Sequence, residues 1–288
     1  MKVMRVESLV YGVDDLAAGM NYYDDWGLPR VSHGNTGADY LLPSGQTIKL
    51  RASSDAGLPS AVEGGSTVRE VIWGVDNAAS LDQIGAALDS DQKITRDAEG
   101  GIHARDPWGM ALSVRVAQPV PVTPEPSARG LNHPFWPADR VKPTRMGHAV
   151  FFVPASKLAA TSKFYAEKLG FRLTEGVKGF GDFMRCGGSN DHHNLFLLSI
   201  GEKSGFNHVA YEVADFDELM IGGKFMEGKG WKAVTKPGRH IMGSNLFWYF
   251  NNPSGGATEY FSDMDVFDDD WKPVIHEKNP GYSHWMMS

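Results

Sequence analysis

The chain has 288 residues, enough for two domains at a prior of about 150 residues each. Its 42% hydrophobic and 22% charged residues are usual for a globular protein, and no apolar run reaches the roughly 18 residues of a membrane span. A formal charge of −7 argues against a nucleic-acid or anionic-membrane partner, and a single cysteine, Cys186, excludes an internal disulfide and any Cys-rich metal cluster. A metal would have to be held by His, Asp or Glu. The first residues, MKVMRVESLVYGVDDL, lack the regions of a signal peptide, so the expected location is the cytoplasm.

In chain order, residues 6–11 read as an apolar, β-prone strand. Asp14 is placed to cap a helix with Leu16, Met20, Tyr23 and Trp26 on its apolar face, and Gly27 suits the residue just past its end. Residues 68–75 form the next strand, followed by a helix around Leu81, Ile84 and Leu88 and a turn at DPWG, 106–109. Residues 119–145 hold Pro119, Pro121, Pro124, Pro126, Pro134, Pro137 and Pro143, which forbids a central strand or long helix and predicts an extended linker packed by Phe135 and Trp136. The pattern then returns. Residues 148–153 are a strand, Ser156 is placed to cap a helix carrying Leu158, Tyr165 and Leu169, and Gly170 ends it. Residues 206–213 are a strand, with a helix around Leu219 and a turn at NPSG, 252–255. The endings YYDDWGL and FYAEKLGF are alike. The repeats amount to four βαβββ-like modules starting near Met4, Val68, Met146 and Phe206. The predicted divisions are a first domain over 1–118, the linker at 119–145, a second domain over 146–265 and a tail over 266–288.

Two of the ten histidines stand at matching places in these modules: His148 in the first strand of module three and His208 in the first strand of module four. Glu259 falls inside the last strand of module four, among Ala257, Tyr260 and Phe261. A carboxylate buried in a strand needs a partner or a cation, because burying it alone costs several kcal/mol. Two imidazoles and one carboxylate on one face leave about three coordination positions open, a set suited to Fe(II) and nearly as well to Mn(II). In the first half the same places fall near residues 6–8, on Glu70 and on Ser113, so that domain is expected to keep the architecture without a metal site.

These residues resemble the vicinal oxygen chelate superfamily, and within it the type I extradiol catecholic dioxygenases. The family signature has its counterpart in Gly238, Arg239 and His240, then Trp248, Tyr249, Asn252, Pro253 and Gly255, and finally Glu259. The resemblance implies an α+β fold of four βαβββ modules paired into two domains, each an open, curved, barrel-like sheet, with the metal in the second. It implies His148, His208 and Glu259 as ligands of Fe(II), with Mn(II) as the other metal that fits, and His193 as the acid–base residue. His192 is the competing choice. Period-two alternation puts His193 with Leu195 and Leu197 and turns His192 to the other face. His240 and Tyr249 match residues that hydrogen-bond the substrate oxygens, and Val150, Met242 and Trp248 are expected at the substrate.

The implied activity is extradiol cleavage of a small aromatic diol by O2, giving a hydroxymuconic semialdehyde-type product, in an enzyme expected to be a homo-oligomer. A glyoxalase-like isomerase is the first rival, but residues 194–200 offer no carboxylate as a fourth ligand. A 2-oxo-acid dioxygenase and a non-catalytic binding protein of the same superfamily are the others. The segment DMDVFDDD, 263–270, lacks the Gly and terminal Glu of a calcium loop and reads as a solvated stretch, and the tail with Trp285 is expected to pack over the site or a neighbouring subunit, or to fray.

Overall fold

The structure, a computed structural model, describes residues 2–122 and 141–288. The middle of the Pro-rich segment, with Phe135 and Trp136, lies outside the described residues. The first half runs β1 (Val3–Val13), α1 (Leu16–Trp26), β2 (Arg30–Gly34), β3 (Gly37–Leu41), β4 (Thr47–Ala52), β5 (Thr67–Val75), α2 (Ala78–Asp89), β6 (Thr95–Arg96), β7 (Ile102–Arg105) and β8 (Ala111–Val116). The second runs β9 (Arg145–Phe152), α3 (Leu158–Leu169), β10 (Arg172–Val177), β11 (Gly181–Arg185), β12 (Leu195–Leu198), β13 (Gly205–Glu212), α4 (Phe216–Gly228), β14 (Gly238–His240), β15 (Leu246–Asn251) and β16 (Ala257–Ser262). Two short tail strands follow, β17 (Val274–His276) and β18 (Ser283–Met286).

The four strands that open the modules begin at Val3, Thr67, Arg145 and Gly205, each one residue before the expected start. In every module the last strand returns parallel to the first, which a connection through a helix allows and a tight hairpin does not. The opening strands pair antiparallel at the middle of each sheet, β1 with β5 and β9 with β13. The sheets have eight strands in the order β2-β3-β4-β1-β5-β8-β7-β6 and ten in the order β17-β10-β11-β12-β9-β13-β16-β15-β14-β18. The architecture is therefore the α+β arrangement of repeated modules expected above.

Two helix starts differ from the sequence reading. Asp15, not Asp14, caps α1 by accepting from the Ala18 backbone N–H, while the Asp14 carboxylate accepts from the Ser53 hydroxyl and the Asp14 backbone N–H donates to Ser66 Oγ. At α3 the cap position is Lys157, which makes no side-chain cap bond, because the Ser156 hydroxyl is turned to Glu202. The helix ends are as read: Gly27 and Gly170 both take left-handed backbone, with φ of 97° and 73°, where a Cβ is disfavoured.

One apolar core runs under both sheets. Its centre ties the halves together at the strand that carries Glu259. Trp26 of α1 stacks on Tyr260 of β16 with centroids 3.6 Å apart and planes within 3°, and the Tyr260 hydroxyl donates to the Trp26 carbonyl at 2.8 Å. Such an aromatic pair contributes about 0.5–1.5 kcal/mol beyond the area it buries. The tail is not frayed: β17 extends the second sheet beside β10, and β18 pairs with β14. The 263–270 stretch is largely exposed, but Asp265 and Phe267 use their backbones to hold His192 and Asn190. No helix of the described residues is long and apolar enough to cross a membrane.

Candidate metal centre

Strand register puts three donors on one face. Ala210 in β13 lies opposite both His148 in β9 and Glu259 in β16, and His208, two residues before Ala210, lies opposite Val150. Residues two apart in a strand share a face, so His148, His208 and Glu259 project together. The Nε2 atoms of His148 and His208 are 3.1 and 3.2 Å from the same oxygen, Oε2 of Glu259, and 3.4 Å from each other. Three donors on one face of an octahedron, each about 2.1 Å from an ion, sit about 3.0 Å apart, so the spacing fits a single divalent metal. Among the described residues no other set of three His, Cys, Asp or Glu donors converges this way.

The first sheet repeats the register without the chemistry. Val10 faces Glu70, and Ile72 lies opposite both Ser8 and Ser113. Ser8, Glu70 and Ser113 therefore occupy the places of His148, His208 and Glu259. Glu70 there bonds His103 at 2.8 Å instead.

Electrostatics around the trio follow from burial. Burial by itself pushes the fully buried Glu259 carboxyl up, but hydrogen bonds and charge from His148 and His208 outweigh it and hold Glu259 well below the usual carboxylate range. Its other oxygen accepts from Asn245 Nδ2 at 3.0 Å. Burial pushes His208 down, against the opposing pull of Glu259, and its Nδ1 is bonded to Asn207. Asn245 and Asn207 were not foreseen from sequence. Asn207 stands next to its histidine, but nothing in the local pattern marks Asn245.

The remaining site residues surround a cavity of about 590 Å³. His193 lines it, with its ring centroid 4.1 Å from that of His148. Burial, then the neighbouring imidazoles of His148, His192, His208 and His240, keep His193 well below the ordinary imidazole range. His192 does not line the cavity; it stands behind His193, the Nδ1 atoms 2.9 Å apart. The expected alternation fails here. Residues 192–194 precede β12 and are not strand, so the count restarts at Leu195. Leu195 and Leu197 face the core, and His193 shares the cavity with Phe196 and Leu198.

His240 and Tyr249 also line the cavity and bond each other at 2.9 Å. His240 Nδ1 lies 3.0 Å from the Tyr282 carbonyl, an acceptor only, so Nδ1 carries the proton and Tyr249 O–H donates to Nε2. Burial and the nearby Glu259 charge raise the Tyr249 phenol well above its ordinary range. Tyr282, with Asn279 and Gly281, brings the tail into the cavity wall, a contribution the sequence left open.

Val150 and Met242 line the cavity as expected. Trp248 does not, which corrects its reading as a substrate residue. Its neighbour Tyr249 points into the cavity, so period two sends Trp248 to the opposite face, where it is 2% exposed and lies against Gly223 of α4. The rest of the wall is mostly apolar, including Phe152, Phe180, Phe183 and Phe206.

Comparison with known proteins agrees with this frame. Residues 145–260 match the Glyoxalase/Bleomycin resistance protein/Dioxygenase superfamily. Metapyrocatechase 2 of Cupriavidus necator is 30% identical over 175 residues, covering 58% of this chain and 54% of that protein. An iron-dependent extradiol dioxygenase of Rhodococcus jostii (strain RHA1) is 27% identical over 153 residues, 49% of each. The chain spans about half the length of these curated relatives. Among solved structures, the Mn(II)-bound glyoxalase from Novosphingobium aromaticivorans superposes with a TM-score of 0.77 at 24% identity, over 99% of this chain and 91% of that one. The 2,3-dioxygenase LapB from Pseudomonas sp. KL28 does so with 0.78 at 18%, over 96% and 98%. Both share the fold. The superfamily match opens on the first residue of β9 and closes inside β16, the strands of the first and third donors.

Proposed function

We propose that this protein is an extradiol ring-cleaving dioxygenase acting on a catecholic diol, with Fe(II) held by His148, His208 and Glu259. The observation that carries the reading is the three-donor face opening onto an apolar cavity that also holds His193, His240 and Tyr249. The two curated relatives that match are named for the same chemistry. A metal held by these three residues would supply Lewis acidity toward the diol and redox chemistry toward O2.

The chain's own residues do the rest. The phenyl walls at Phe183 and Phe196 accept the aromatic ring and exclude water from it. His193 takes a proton from a substrate hydroxyl and returns it as the ring opens, general acid–base work for a neutral imidazole. Because Tyr249 spends its own proton on His240, its oxygen keeps lone pairs for a diol hydroxyl and orients it. Isomerase chemistry of the glyoxalase kind is less well supported, since β12 turns Phe196 and Leu198 to the cavity and adds no fourth donor. A role in the cytoplasm fits the sequence reading and this chemistry.

The test is anaerobic loading with Fe(II), followed by a panel of catechols and admission of air. A yellow ring-cleavage product is expected with at least one diol. Stoichiometric iron with no O2 uptake on any of them would refute the assignment.

A further inference from the structure

Behind His193 runs a chain of hydrogen bonds that the cavity chemistry does not use. Glu175 in β10 places Oε2 2.9 Å from His192 Nε2 and Oε1 3.1 Å from Nε2 of His276 in β17. A carboxylate only accepts, so His192 carries its proton on Nε2. With one N–H on the His192 ring, that proton is spent on Glu175 and Nδ1 is left bare. The atom 2.9 Å from it, Nδ1 of His193, must then be the donor. His193 has only that one proton to give. Its Nε2 is bare.

The arrangement is rigid. His192 is fully buried between the rings of Phe183 and Phe267, each 5.4 Å away, and its backbone N–H donates to the Asp265 carbonyl at 2.8 Å. Gly243, at φ 81°, packs so close that a Cβ there would come within 3.1 Å of His192 Nδ1. Both nitrogens of the ring are engaged, Nδ1 with His193 and Nε2 with Glu175. Glu175 itself does not line the cavity.

We infer that Glu175 and His192 are positioning residues that fix the tautomer of His193, so that its Nε2 presents a lone pair to the cavity as a ready general base. The inference deepens the acid–base reading of His193 proposed above and rests on it for its catalytic consequence. The logic is that of a buried carboxylate orienting a catalytic imidazole, where loss of the correct tautomer alone removes most of the rate.

Two measurements test it. In Zn(II)-loaded protein labelled with ¹⁵N-histidine, long-range ¹H–¹⁵N correlations should show His193 protonated at Nδ1. A wild-type spectrum with the proton on Nε2 would overturn the inference without any variant or any turnover. Glu175→Leu removes the acceptor that holds the proton on His192 Nε2, so the His193 proton should move to Nε2. In the iron-loaded enzyme this variant should lose about 10²-fold in kcat. KM, iron content and affinity for a nitro-substituted catechol should stay within about 2-fold of wild type, as roughly expected when only the proton-transfer step is hit. Glu175→Asp, still an acceptor only, should restore most of the rate. A Glu175→Leu enzyme with wild-type kcat would refute the role. Wild-type protein that cleaves no diol would sink the ring-cleavage reading alone, and the spectrum would still decide the tautomer.

Discussion

Glu259→Gln separates the metal from the fold. In the wild type, Oε2 of Glu259 meets His148 and His208 at 3.1 and 3.2 Å, and Oε1 accepts from Asn245 at 3.0 Å. Gln keeps the size and the Asn245 bond, and its amide nitrogen can donate to one of the two imidazoles. The metal-free variant should therefore fold much as the wild type does. What it loses is the only negative charge among the three donors. Even residues that merely support metal ligands cost about 10–100-fold in affinity when changed, so a ligand should cost more than about 100-fold. At a metal concentration of about 100 times Kd, binding stabilises the wild type by about 2.7 kcal/mol, which at roughly 2–4 °C per kcal/mol raises Tm by about 5–10 °C. With Kd raised 100-fold, as roughly estimated above, the same metal concentration gives only about 0.4 kcal/mol and about 1–2 °C. Anaerobic calorimetry with and without Fe(II), on samples whose metal content is measured, reads this difference. If Glu259→Gln showed the wild-type metal shift, or retained stoichiometric iron, the three-donor centre would be wrong.

His193→Asn should keep iron and nitrocatechol binding but lose about 10²–10⁴-fold in kcat, measured as O2 uptake; full activity would move the acid–base role elsewhere. Gly223→Ala would set a Cβ 1.9 Å from the Trp248 ring and should cost about 1–3 kcal/mol in urea unfolding with metal content unchanged, whereas wild-type stability would mean that Trp248 does not pack on α4. Burial raises the Glu175 carboxyl, but hydrogen bonds from His192 and His276 bring it below the ordinary range. A depressed folded pKa gives stability that is present above the unfolded value of about 4.3 and is lost as pH falls through the lower folded one. Urea midpoints should therefore fall more steeply below about pH 4 for the wild type than for Glu175→Leu, and parallel curves would show that Glu175 is not held in this way.

Local signals were enough for the modules and the donors. The glycines after α1 and α3, the Pro turns at 106–109 and 252–255, and the apolar strands recur with a spacing that pairwise interactions along the chain impose, so the repeat and its starts were legible to within one residue. His148, His208 and Glu259 were legible because a charged or titratable side chain inside an apolar strand has few stable alternatives to a shared partner. Facing directions were another matter. Trp248 and the pair His192–His193 each needed a period-two count. The count for Trp248 depends on which face of β15 the helix α4 covers, and the count for His193 breaks because 192–194 lie outside β12, with His192 held by the Asp265 carbonyl and Glu175. The long-range partners were invisible for the same reason. Glu175, Asn245, Tyr282 and His276 meet their partners across 14 to 101 residues of separation only after the sheet has closed, and the tertiary fold alone sets those distances. A sequence specifies which groups want burial and partners; which of them meet is decided by strand register and by the edges on which the tail strands dock.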